Sequence, residues 1–177
     1  MSWVAVVLGS AAVEDRIVEA TAFHTESGLF ADEVRARGGT VGTDLPLLGS
    51  TPSLAVGLFD CRSVDRQVEV AVEAAVMAQW EVQKTPGSAD MRLGVHFAVS
   101  VDRAIAGAAA LAAVANRRQI LVSGSVERQC HDLDARGMGM AQLEQADAAT
   151  EEAAQEVLWL LTDSRMNVGR LPLHLPD

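Results

Sequence analysis

The segment that most constrains the fold is Met91 to Val126, MRLGVHFAVSVDRAIAGAAALAAVANRRQILVSGSV. It opens with apolar residues in alternation (Leu93, Val95, Phe97), breaks at Ser100-Val101-Asp102 and continues as an alanine-rich run. Gln119-Ile120-Leu121-Val122-Ser123 closes it with the short apolar run of a buried strand. Strand, long helix, strand is the crossover that returns a chain to the same sheet in parallel. The rest of the chain must then supply further strands and cover the other side of that helix.

Trp3 to Leu8 (WVAVVL) is apolar at every position, as in a strand buried on both faces. From Val13 to Arg37, Ile17, Ala20, Phe23, Phe30 and Val34 recur at roughly helical spacing, up to Gly38-Gly39. A glycine costs a helix interior about 1 kcal/mol, so a break into two helices at Ser27-Gly28 stays open. Thr40–Asp44 and Ser53–Phe59 read as a strand pair. Two readings of the connecting Leu45, Leu47 and Leu48 stand side by side: they fold back on their own domain, or they form an apolar arm that reaches a partner. Val64 to Gln83 is a helix with apolar positions at 64, 68, 72, 76 and 80, ended by Thr85-Pro86-Gly87-Ser88. After the central unit come a short helix near Ser125–Cys130 and two strands, Arg136–Leu143 and Glu156–Leu161. Glu144–Gln155 between them reads as a solvated helix or loop. This order predicts an α+β fold with a ferredoxin-like βαββαβ core, an additional helix and C-terminal strands. The helices are expected to pack against one face of a mixed sheet. Residues 1–163 form the expected domain, and residues 164–177 a tail or the start of a linker.

Composition removes several functions. The net charge is −10 and Lys84 is the only lysine, so the surface repels nucleic-acid backbones and anionic lipid. No apolar run reaches the roughly 18–20 residues of a membrane span. The start, Met1-Ser2-Trp3-Val4, has neither the basic nor the apolar region of a signal peptide, so the expected location is the cytoplasm. Cys61 and Cys130 lack metal-ligand spacing and read as free thiols, one or both partly buried.

The ordered series of segments resembles the class III nucleotidyl (adenylate/guanylate) cyclase homology domain over roughly residues 3–162. Arg37-Gly38-Gly39-Thr40-Val41 is similar to the family's "HGG-x-V", and Leu54 to Phe59 (LAVGLF) to its "LAVF". Met91-Arg92-Leu93-Gly94-Val95-His96 is similar to "LRIGIH". Ala109 to Ser123 is similar to "AARLxALAxPGQILVS", and Glu156 to Leu161 (EVLWLL) to the closing "EPVxVYRL" strand. The resemblance implies a cyclase-type sandwich that dimerises, with its site between two subunits.

What the resemblance implies for chemistry is a departure. A cyclase drives a ribose 3′-hydroxyl onto an α-phosphate and needs two divalent metals. The family's two metal-binding aspartates fall on Ser10 and Ser53, and a serine hydroxyl does not replace a carboxylate on Mg²⁺. The helix motif "VNLAAR" falls on Ile105 to Ala110, so its asparagine becomes Ala106 and its arginine Ala110. Such donors contribute several kcal/mol to charge stabilisation in analogous sites. The purine-selecting lysine would lie near Gly42. The expectation is therefore a catalytically inactive, regulatory or scaffolding domain with no catalytic residue, metal or cofactor of its own. It would act as a homodimer, or as a heterodimer with a cyclase-like or regulatory protein, through Leu45, Leu47, Leu48, Ala106, Ala110 and Leu111. Two rivals stay open. One is a residual nucleotidyl cyclase acting on ATP or GTP with relocated ligands such as Asp44 and Asp60. The other is a small-molecule sensor, the cleft remade as an apolar pocket lined by alanines and Met77 or Phe97; Asp102, Arg103, Arg117 and Arg118 are separate, weak ligand-binding candidates. His96 is expected to play a structural, hydrogen-bonding role. Cys130-His131-Asp132 reads as no nucleophile cluster, because adjacent residues diverge.

Overall fold

A strand apolar at every position needs neighbours at both edges and cover on both faces, and the first strand obtains all four. The computed structural model describes residues 2–9, 16–42, 54–61, 64–85, 91–116, 118–143 and 158–163. In it β1 (Trp3–Gly9) is buried from Val4 to Gly9. It lies antiparallel to β3 (Leu54–Asp60) on one side and to β4 (Arg92–Ala98) on the other, Val6 opposite both Gly57 and Val95. β2 (Thr40–Gly42) extends the sheet beyond β3. β5 (Ile120–Ser123) runs parallel to β4, followed by β7 (Leu158–Asp163) and β6 (Met138–Gln142). The seven strands are ordered β2-β3-β1-β4-β5-β7-β6, and the first four carry the ferredoxin-like pattern expected from the sequence.

The expectation that the helices share one face is corrected. Val4, Val6 and Leu8 pack with α1 (Arg16–Ala36) and α2 (Val64–Lys84), through Phe30, Val34, Val68, Val72 and Val76. Ala5 and Val7 pack on the opposite face with Ala104, Ile105, Ala108 and Ala112 of α3 (Val101–Val114). The reason is already in β1: apolar residues at both parities leave two faces to cover, at about 1.5–3 kcal/mol for each large side chain buried.

This placement has a topological consequence. β3, β4 and β5 are mutually parallel and succeed one another in the same direction across the sheet. The crossover through α2 runs over one face and the crossover through α3 over the other. The two crossovers therefore have opposite hands, and one of them departs from the strong right-handed preference of such connections.

α1 is one helix. Gly28 is exposed in it and a Cβ there would meet nothing, so the glycine is tolerated on the solvent face. The helix stops at Gly38, whose left-handed backbone (φ 78°) lets Gly39 N–H donate to Val34 O at 2.9 Å. After β5 comes α4 (Gly124–Glu127), then a single 3-10 turn at Asp134–Arg136. From that turn Arg136 donates to Glu69 at 3.1 Å and to Glu73 at 3.2 Å, tying the start of β6 to α2. Arg37 pairs with Glu33 and reaches Glu73 at 3.7 Å, so α1 joins the same network. Among the described residues no helix is long and apolar enough to cross a membrane.

Candidate functional site

α3 is held against the sheet by backbone proximity, and small residues are the condition for it. A Cβ on Gly94 would lie 2.0 Å from Ala108 O and 2.7 Å from Ala112 N. A Cβ on Gly9 would lie 3.2 Å from the Ala112 methyl, and one on Gly107 would lie 2.3 Å from the His96 ring. Four of the helix's seven alanines are thus spent on the protein's own sheet: Ala104, Ala108, Ala109 and Ala112 are buried. His96 packs its imidazole against Gly107 in a half-buried position, which agrees with a structural role. Ser100 caps the helix, its Oγ accepting from Arg103 N–H at 3.4 Å.

The other three face outward. Ala106, Ala110 and Ala113 are exposed on α3, flanked by the exposed Val99 and Val114. Cover for this side of the helix, expected from the sequence, is absent among the described residues. Leu111, expected at the same surface, is instead buried with Ala115 and Leu121 beneath Leu143 and Leu160, because its helical phase turns it toward β5 and β7. The outward face therefore presents methyl groups at the two positions where the resemblance places an asparagine and an arginine.

The sheet end beside this helix is defined by Gly9, which stands opposite both Leu54 and Arg92. The β1–β3 ladder ends there, one residue short of Ser10 and Ser53. Those two, together with Asp44, Leu45, Leu47, Leu48 and Arg117, lie outside the described residues. Asp60, named as a relocated metal ligand, pairs with Trp3 at the far end of the same ladder, roughly 20 Å from Leu54 at strand spacing. It cannot serve a site at Gly9. Asp102 and Arg103 are exposed at the start of α3, whereas Arg118 follows its end, about 20 Å away along a helix of this length. Asp102 and Arg103 thus do not converge with Arg118 on one point.

Arg118 takes a left-handed backbone (φ 63°) and donates its N–H to Met91 O at 2.8 Å. This turn stands where the resemblance has "PG", so a conformation suited to glycine is carried by an arginine. Beside it Arg92 holds a buried Nε with no hydrogen-bond partner among the described residues. Sequence reasoning passed over this cation. The signal was available: an arginine opening a strand in a chain with 14 basic residues, at the end where the resemblance places the chemistry.

Among the described residues no group of three or more His, Cys, Asp and Glu side chains is arranged to hold a metal ion. The two thiols are free. Burial pushes Cys61 up to about 11, helped by the charge of Asp60. Burial likewise pushes Cys130 up to about 12, helped by Glu69 and Glu127. Both stay protonated at neutral pH and are poor nucleophiles.

No family model matches the sequence, and no curated protein matches it. Solved structures do. The chain is similar to the guanylate cyclase domain of RhGC from Catenaria anguillulae in complex with GTP, with a TM-score of 0.66 at 11% identity, covering 92% of this chain and 96% of that one. It is similar to the adenylyl cyclase CyaB from P. aeruginosa, with a TM-score of 0.63 at 13% identity, covering 95% and 97%. An adenylate cyclase structure from Trypanosoma brucei, in the monomeric state, gives a TM-score of 0.68 at 11% identity over 93% and 90%. At these identities the likeness is one of fold: the chain has the fold of class III nucleotidyl cyclase domains.

Proposed function

We propose that this chain is a regulatory or scaffolding domain on the cyclase fold, working by dimerisation or by binding a protein partner rather than by turning over a nucleoside triphosphate. The observation that carries the reading is the outward face of α3, where Ala106 and Ala110 are exposed. A methyl group neither orients a ribose nor holds charge on a phosphoryl oxygen, but small side chains let another backbone approach closely. Ser10 and Ser53 support the same reading from the sequence, since neutral hydroxyls do not offset two metal ions and a triphosphate. The proposed contact comprises Ala106 and Ala110, with Leu45, Leu47 and Leu48 as its sequence-level candidates.

Sedimentation equilibrium of wild type and Ala110→Glu tests the contact. Association weakened at least tenfold by a glutamate on this face supports it. Self-association untouched by Ala110→Glu, with no partner protein losing affinity for the variant, removes α3 from the account.

Arg92 favours a second reading, a sensor of a small anionic ligand in the remade cleft. A cation with a buried, unpartnered Nε is costly unless an anion completes it. Thermal melting with inorganic pyrophosphate and with GTP examines this. A stabilisation that grows with ligand concentration and disappears in Arg92→Gln supports the sensor. Superimposable curves exclude it for those anions.

A further inference from the structure

On the side of the sheet opposite α3, α2 and the chain entering β6 enclose a cavity of about 370 Å³, lined by Arg66, Val70, Glu73, Arg136 and Met138. That volume lies within the range of small-molecule sites. Arg66, Val70 and Glu73 follow one another at i, i+4 and i+7, so a single face of α2 makes one wall. Arg136 on the 3-10 turn and the buried Met138 at the start of β6 make the other.

The α2 wall carries opposite charges at its two ends, with Val70 between them. Arg66 is exposed and forms no ion pair among the described residues. Glu73 Oε2 accepts from Arg136 at 3.2 Å, whereas Oε1 has only the Arg37 guanidinium at 3.7 Å, beyond hydrogen-bond range. A set of donors and an acceptor therefore stand ready two helical turns apart, about 10.5 Å along the axis. Arg66 and Arg136 against Glu69 and Glu73 sum to zero charge here, in a chain of net charge −10. A simple anion entering this place meets Glu73 and the negative field of the chain, and a simple cation meets Arg66. A ligand with one charge of each sign escapes both penalties.

We propose that this cavity binds a short ω-amino carboxylate, its carboxylate on the Arg66 guanidinium, its ammonium on Glu73 Oε1 and its methylenes against Val70 and Met138. The planar guanidinium fork fits a carboxylate, and the glutamate oxygen takes the ammonium as a point charge. A charge-assisted hydrogen bond of about 2.8 Å at each end takes up part of the separation and leaves about 5 Å between the ligand's charged groups. About three methylenes span that gap at roughly 1.5 Å a bond, and the single carbon of an α-amino acid does not. The site lies across the sheet from α3, so the inference goes beyond the proposed function and does not rest on it.

The test is a titration of the full chain, labelled at its methionine methyl groups, with 4-aminobutanoate, butanoate, butylammonium and glycine. Met138→Leu identifies the Met138 signal. The expected result is a saturable shift of the Met138 methyl with 4-aminobutanoate, and binding at least tenfold weaker for each of the other three. Arg66→Gln and Glu73→Gln should each weaken 4-aminobutanoate at least tenfold; Arg66 is exposed, so its variant keeps the wild-type melt. A Met138 signal that does not saturate, or an affinity unchanged by Arg66→Gln, overturns the proposal. Butanoate or butylammonium binding as tightly as 4-aminobutanoate overturns the zwitterion, and glycine binding as tightly overturns the spacing. None of these outcomes depends on whether Ala110→Glu alters self-association, so failure here and failure of the α3 contact are told apart.

Discussion

At Gly94 the sheet and α3 come so close that a single methyl group has no room: its nearest neighbours would be backbone atoms of the helix, which cannot rotate away. Gly94→Ala is expected to destabilise the fold by about 3 kcal/mol, a melting shift of about 10 °C for a chain of this size. An unshifted melt would mean that α3 sits farther from β4 than described. Arg118 provides a gentler test of backbone strain. Arg118→Gly and Arg118→Ala both lose the guanidinium, so their difference isolates the left-handed conformation. The glycine variant should be the more stable by about 1 kcal/mol in chemical denaturation. The cysteines give a prediction in pH. Their folded values of about 11 and 12 lie above the ordinary 9.0, so the stability linked to them is complete below pH 9 and declines as pH rises through 9 toward 12. At pH 7.5 native Cys61 and Cys130 should react with iodoacetamide far more slowly than in denaturant. Comparable rates would contradict their burial. The sequence reads the two cysteines as free and partly buried thiols, as the structure has them; the close approach at Gly94 and the left-handed Arg118 were not legible, because they belong to residues the chain brings together only on folding. Arg92 was visible as an arginine opening a strand, but its weight comes from standing opposite Gly9.

Elements were more legible than residues. The four-residue apolar step of α2 and the uniformly apolar β1 appear where the sequence puts them, since each needs only its own periodicity. The possible break at Gly28 was a fair inference from propensity and was overruled by packing, because Phe30 and Val34 anchor the helix to the core beyond the glycine. α3 misleads in a different way. Its alanines look uniform in sequence, yet helical phase divides them into a row against β1 and β4 and a row facing outward, and turns Leu111 inward. The ion network that joins α1, α2 and the turn before β6 involves partners more than 60 residues apart, beyond any sequence pattern. Arg136→Ala should cost about 1–2 kcal/mol, because Glu69 is nearly buried and loses its partner, while the half-exposed Glu73 contributes little. Raising salt should narrow the gap between wild type and variant; a gap independent of salt would point to packing instead.

For the whole molecule, two-sided cover of the sheet joins fold to function. α1 and α2 fill one face, and α3 covers the other as a thin alanine layer whose outer surface none of the described residues covers. That exposed surface coincides with the positions at which the cyclase resemblance calls for transition-state donors, so under the proposed function loss of chemistry and gain of a packing surface would be two aspects of one substitution pattern. The fold itself accords with solved cyclase domains over more than nine-tenths of the chain. The central claim is that this fold is kept without turnover, and the direct measurement is cyclic nucleotide formation by the purified chain from ATP and from GTP, with Mg²⁺ and with Mn²⁺. The account predicts no product above a metal-free control at any protein concentration. Metal-dependent cyclic nucleotide that rises with protein concentration, and falls when Ser10 and Ser53 are replaced by alanine, would contradict it.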